Sequence, residues 1–402
     1  MTLYDGGLIV DEGQALPAGH AVLVEHETII DVGPAAKFSG YAGPRIDLTD
    51  ATLLPGLIDC HVHLCFGAEA DVMPLLSQLR PADFALRALA NAQAALRGGI
   101  TTVRDLGGHD YAEIAVRNSI RQGRHVGPTI LCAGKMICIT GGHGWFIGLE
   151  ADGADACVRA VRTNIKAGAD WIKFMATGGV LTAGIDPLAA HQTTEESVAL
   201  VREAHRLGKR TACHATGAAG ILQAVLAGTT SIEHGFELTD EIIDGMLKRG
   251  TFLVPTLSAM ACAHGHGEKG RLPPYVVDRV ETYRERQRES ARRFYRAGGR
   301  IAMGTDAGTP FNAHGANAEE LAHMVEIGIS PRDAIRISTS GSAELLDLPD
   351  RGRVAAGKRA DLLIVKGNPL ENIASVSDTT NHLAVVKDGR IVASSSNRFA
   401  PA

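Results

Sequence analysis

Short apolar runs bounded by glycine, proline and aspartate alternate, through the middle of the chain, with longer stretches of helical period. Strands are predicted over Leu57–Phe66, Thr101–Leu106, Thr129–Met136, Trp171–Ala176, Arg210–His214, Ser231–His234, Phe252–Leu257 and Arg300–Asp306. The helices between them carry start signals. Thr193 and Glu196 form a capping box, and Pro331 after Ser330 sits at a first helical position. Ile221/Val225 and Leu222/Leu226 give the i, i+4 stripe of a helix lying on a sheet. Regular strand–helix alternation predicts an α/β fold, a parallel (β/α)8 barrel over 57–347. A doubly wound open sheet competes, but no GxGxxG follows the first strand.

The two ends read differently. Leu8–Val10, Ala21–Val24 and Thr28–Val32 are short strands, as are Asp361–Val365 and His382–Lys387, and Asp388-Gly389 before Arg390 is a hairpin turn signal. Residues 1–56 and 348–402 are therefore expected to fold together as a small β-sandwich domain. Val276–Ala297 mixes Arg and Glu and reads as the solvated face of an outer helix. Ser258–Pro274, with its glycines and Pro-Pro, reads as a long loop at the end of the barrel where substrate sites are built.

A net charge of −5 leaves no basic footprint, so neither nucleic acid nor anionic membrane is an expected partner. The N-terminus lacks a basic and then apolar leader, and no apolar run reaches membrane-spanning length, so a cytoplasmic location is expected. The 7 cysteines include no CxxC pair and are expected as free, mostly buried thiols.

The chemistry gathers at strand ends. His61 and His63 lie two apart in an extended run, so their imidazoles share a face, an arrangement suited to a metal ion. His214, His234 and Asp306 end three further strands. Singly, His234 could be a core histidine and Asp306 a helix cap; together they converge where such a barrel places active groups. Lys173 lies inside an apolar strand, where an unpaired amine costs several kcal/mol. Either a carboxylate pairs with it, or a carbamate on its nitrogen reverses its charge and offers two oxygens to bridge cations.

Pro55-Gly56-Leu57-Ile58-Asp59-Cys60-His61-Val62-His63, with Lys173, single histidines on two later strands and Asp306 on the last, resembles the amidohydrolase superfamily. Ile172–Val180, Thr140-Gly141-Gly142-His143-Gly144 and Ile232-Glu233-His234-Gly235 are similar to its binuclear peptidase branch, which cleaves Xaa-Pro or other dipeptides or amides of a C-terminal amino acid, and to ochratoxin-type hydrolases. The resemblance implies two divalent ions, zinc, one held by His61, His63 and Asp306 and the other by His214 and His234, with carbamylated Lys173 bridging. It implies that Asp306 moves a proton from a shared, acidified water to the leaving amine, while His143 is a second donor to the carbonyl oxygen. Trp145, Phe146 and Met260 are expected over the site as an apolar pocket, and Arg104, His143 and His314 near it as candidates for a substrate carboxylate. Thr216 stands where some relatives carry an aromatic residue. The expected partner is a small-molecule peptide or amide substrate, acted on by a homo-oligomer. A mononuclear deaminase or imidazolone-type hydrolase, and an inactive scaffold, are the alternatives; Lys173 argues against the first and the full ligand set against the second.

Overall fold

The computed structural model describes residues 1–267, 271–395 and 397–399. Near the N-terminus, alternating apolar positions pair into two sheets, one of which takes strands from both ends of the chain. One six-stranded sheet runs Arg390–Ser394, His382–Lys387, Leu362–Lys366, Ala51–Pro55, Leu8–Asp11, Gln14–Ala15. Leu363 lies antiparallel opposite Leu54, and Leu53 parallel to Ile9, so the late strand is inserted beside the early ones. A four-stranded sheet of Thr28–Pro34, His20–Glu25, Thr2–Asp5 and Arg45–Asp47 shares an apolar cluster with it, including Tyr4, Val22, Ile29, Leu53 and Ile364. Asp388 and Gly389 both take positive φ in the hairpin turn, and a Cβ on Gly389 would sit 1.6 Å from the His26 carbonyl oxygen.

The middle of the chain is parallel, and most of its strands are followed by a helix. Thr129–Cys132, Ile100–Asp105 and Leu57–Val62 form one sheet. Leu149–Glu150, Ile137–Cys138, Trp171–Met175, Arg210–Ala215, Ser231–His234 and Phe252–Val254 form another. Residues 300–307 run between them: Ala302 N donates to Leu253 O at 3.0 Å, Cys60 N to Met303 O at 2.8 Å and Asp306 N to His61 O at 2.7 Å. The register places Met175 beside His214 and Ala215 beside His234, so the strands end at one level. Thr193 caps Thr194–Arg206 as expected, accepting from Glu196 N at 3.2 Å while Glu196 Oε2 accepts from Thr193 N at 2.8 Å.

Several expectations need correction. Arg300–Asp306 is not a regular strand but touches its neighbours at isolated bridges at Ile301 and Ala307. Gly304 lets this segment press against His61, where a Cβ would stand 2.8 Å from the His61 Cβ, and Asp306 at φ 61° turns the chain out. Thr129–Met136 stops at Cys132 and resumes at Ile137, across Gly134 at φ +72°. Ser258–Pro274 is mostly helix, Leu257–Gly267, with 268–270 outside the described residues. Val276–Ala297 covers most of the Pro274–Arg296 helix and its C-cap, and the inner face of that helix buries Val276, Val280, Ala291 and Phe294. Ile221 and Val225 are buried, whereas Leu226 is exposed. All cysteines are free, and all but Cys262 are buried. No helix among the described residues is long and apolar enough to cross a membrane.

Candidate metal centre and substrate cavity

The strand ends bring the histidines together. Ring centroids of His61 and His63 are 5.4 Å apart, His61 and His234 5.1 Å, His214 and His234 4.6 Å, and His143 and His214 4.4 Å. Asp306 Oδ1 lies 3.4 Å from His61 Nε2 and 3.2 Å from His63 Nε2. Ligand atoms of His61, His234 and Asp306 all fall within 4.8 Å of one another, close enough for one cation.

Each imidazole has one nitrogen already committed. His61 Nδ1 donates to Glu233 Oε2 at 2.8 Å, and His63 Nδ1 to Gly107 O at 2.9 Å. His234 Nδ1 is 2.7 Å from Thr256 Oγ1, whose own proton goes to Pro255 O at 2.7 Å. His214 Nε2 donates to Gly178 O at 2.7 Å. A carbonyl or carboxylate can only accept, so these bonds fix the tautomers and leave one lone pair per ring. That is the state a metal ligand must have.

At His63 burial works downward but Asp306 outweighs it and raises the value, whereas at the other rings burial enforces the same protonation. It pushes His143 down to about 3 and His234 to about 4, and holds His61 and His214 well below the usual histidine value. For Asp306 burial works upward, but His61, His63 and His234 outweigh it and hold the carboxyl far below its usual range. Lys173 is buried with no hydrogen-bond partner for Nζ among the described residues, and burial lowers its amine to about 8. Neutral imidazoles and an anionic carboxylate beside an orphaned buried amine are a donor set that fits a divalent cation.

Under the histidines lies a network that the sequence reading missed. Glu233, fully buried, accepts from Arg104 Nη2 at 3.0 and 3.2 Å and from Ser231 Oγ at 2.5 Å. Arg104 also donates to Cys60 O at 2.5 Å and stacks 4.5 Å over Trp171. Arg104 is therefore a buried support for His61, not a group that meets a substrate carboxylate. His314 is likewise turned away, its Nε2 at 3.2 Å from His63 O and 3.1 Å from Phe66 O. Asp59 ties the first strand to residue 305, accepting from His61 N at 3.0 Å and Thr305 Oγ1 at 2.6 Å. The available signal was the presence of Asp59, Arg104 and Glu233 inside apolar strands, where charge needs a partner.

A cavity opens above the centre. His61, His63, Lys173, His214, His234 and Asp306 line it, with His143, Phe146 and Met260. Phe66, Val180, Leu181 and Phe236 make its walls apolar, and Thr216 lines it with its hydroxyl bonded to Pro187 O. Trp145 lies outside that lining, 46% exposed and edge-on to Phe146 at 6.1 Å.

Parallel strands here end in a histidine cluster beside a buried lysine and an aspartate. The chain belongs to the amidohydrolase family, whose sequence profile matches residues 52–392, and is a hydrolytic enzyme. Ochratoxinase of Aspergillus niger is 29% identical over 97% of this chain and 86% of its own length. A solved Xaa-Pro dipeptidase with methionine bound in its active site is 33% identical, with a TM-score of 0.89 over 97% of this chain and 99% of that one. A prolidase complexed with N-methylphosphonate-L-proline is 30% identical, with a TM-score of 0.87 over 98% of this chain and 99% of that one. The family generally uses a metal centre and acts on small molecules.

Proposed function

We propose that the chain hydrolyses the amide bond to a C-terminal amino acid, in a dipeptide or N-acyl amino acid, with an apolar side chain on the released residue. The carrying observation is that four imidazoles, each with one nitrogen engaged, line one cavity with Asp306 and with Lys173, whose Nζ has no hydrogen-bond partner among the described residues. The amide-hydrolysing relatives support the reaction class. In this reading residues 57–347 are a closed (β/α)8 barrel, and 1–56 with 348–402 a β-sandwich.

His61, His63 and Asp306 would hold one zinc ion and His214 and His234 a second. Lys173 would join them as a carbamate, formed when its nitrogen adds to the carbon of CO2 and releases a proton. Two such ions supply an acidified water and Lewis-acid polarisation of the scissile carbonyl. Asp306 takes a proton from the attacking water and delivers it to the departing nitrogen. His143 faces the cavity as a donor to the carbonyl oxygen. Phe146, Leu181 and Met260 exclude water and receive the apolar side chain.

Filling such a pocket is worth about 1.5–3 kcal/mol, roughly tenfold to a hundredfold in kcat/KM. An N-acyl-phenylalanine should exceed its C-terminal amide and the N-acyl-lysine analogue by such factors. Equal cleavage of the amide removes the carboxylate from the proposal, and preference for lysine removes the apolar pocket.

A further inference from the structure

The stretch between the Trp171–Met175 strand and the Thr194–Arg206 helix passes over the cavity and is held from outside by one helix. Arg279, on Pro274–Arg296, donates through Nη1 to Gly179 O at 3.3 Å, Val180 O at 2.9 Å and Thr182 O at 2.8 Å, and through Nη2 to Ile185 O. One turn earlier Tyr275 Oη donates to Leu181 O at 3.1 Å, and the Arg279 guanidinium stacks 5.0 Å over the Tyr275 ring. A planar guanidinium can reach several acceptors at once, which an ammonium on a flexible stem cannot hold in one geometry. Among the described residues Arg279 has no carboxylate partner; its donors are committed to this loop.

The loop in turn contacts His143. Thr182 Oγ1 shares a 2.7 Å hydrogen bond with His143 Nδ1. From another side Gly179 abuts the ring so closely that a Cβ there would lie 2.3 Å from Cε1 and Nε2. The His214 ring, at 4.4 Å, completes the slot. We infer that Arg279 is a positioning residue: by gathering the carbonyls of residues 179–185 it places Thr182, and through Thr182 it aims His143 into the cavity. This inference rests on the proposed role of His143 at the scissile carbonyl. The same loop brings Val180 and Leu181 to the cavity wall, so Arg279 also shapes the pocket.

The test is a double-mutant cycle on the metal-loaded full-length enzyme, with N-benzoyl-L-phenylalanine as probe. Thr182→Val, which removes the hydroxyl at nearly constant volume, should lower kcat about tenfold with KM within about twofold, and Thr182→Ser should restore it. Arg279→Gln should lower kcat/KM by about tenfold to a hundredfold, and Arg279→Lys should fail to restore it. In a His143→Ala background neither Thr182→Val nor Arg279→Gln should change kcat by more than about twofold. Losses that multiply with His143→Ala overturn the inference, because a loop anchor acting on folding alone would add independently. Hydrogen exchange of the amides of 179–189 should rise at least about tenfold in Arg279→Gln, and unchanged exchange overturns the inference without reference to turnover. If the wild-type enzyme leaves the probe intact, the proposed substrate class fails, and the exchange experiment decides the role of Arg279.

Discussion

A buried glutamate is costly unless its charge is met, and Glu233 meets it twice, with Arg104 on one side and His61 on the other. This makes Glu233 a support whose loss should be felt both in folding and in the centre above it. Glu233→Gln keeps the shape but leaves Arg104 without its anion. It should destabilise the protein by about 3–5 kcal/mol and weaken metal binding by roughly tenfold to a hundredfold. Chemical denaturation and chelator competition read the two effects, and an unchanged chelator midpoint would contradict the support role. The candidate ligands were legible in the sequence because the histidines and Asp306 end apolar runs and Lys173 stands charged inside one. Glu233 stands directly before His234, yet its meaning depends on Arg104, 129 residues away, and pairing over that distance leaves no local trace.

Among elements, those with strong periods and explicit caps were read correctly, such as the helix begun by Thr193 and Glu196. Leu257–Gly267 was misread because Gly265 and Gly267 count against a helix by about 1 kcal/mol each. Tertiary contacts decide it: Glu320 accepts from Leu257 N at 2.9 Å and Ser258 N at 2.7 Å, capping that helix from a distant one. Arg300–Asp306 looked like a strand by composition, but the close approach at Gly304 and the turn at Asp306 interrupt its ladder. The loop following Trp171–Met175 is where an element touches the chemistry. Gly179→Ala should force the His143 ring aside, lowering kcat about a hundredfold while leaving Tm nearly unchanged. Wild-type turnover in Gly179→Ala would show that the ring has room to move without consequence.

At the scale of the molecule, the alternation along the chain was enough to foresee the mixed α/β order, and one six-stranded sheet takes strands from both termini. What no pattern reveals is how the whole interior sets protonation. Glu113 is fully buried, with neither carboxyl oxygen hydrogen-bonded among the described residues; burial and then Asp105 push it up to about 8. Its pKa is thus higher folded than unfolded. Its contribution to stability is complete below the unfolded value and is lost as pH rises through the folded one, with a slope of up to about 1.4 kcal/mol per unit. Glu113→Gln should remove this decline, so Tm of the wild type should fall relative to the variant between about pH 5 and pH 8. Parallel Tm curves would contradict the buried, proton-holding state.

The whole interior also isolates Lys173, whose Nζ has no hydrogen-bond partner among the described residues, and the proposed function gives it the role of a bridge. Metal content per chain, measured by elemental analysis on protein reconstituted with zinc and bicarbonate, addresses this directly. The wild type should carry about two divalent ions and Lys173→Ala fewer than about one, with turnover lost in parallel. A single ion retained equally by the wild type and Lys173→Ala, with activity intact, would contradict the bridged two-metal centre.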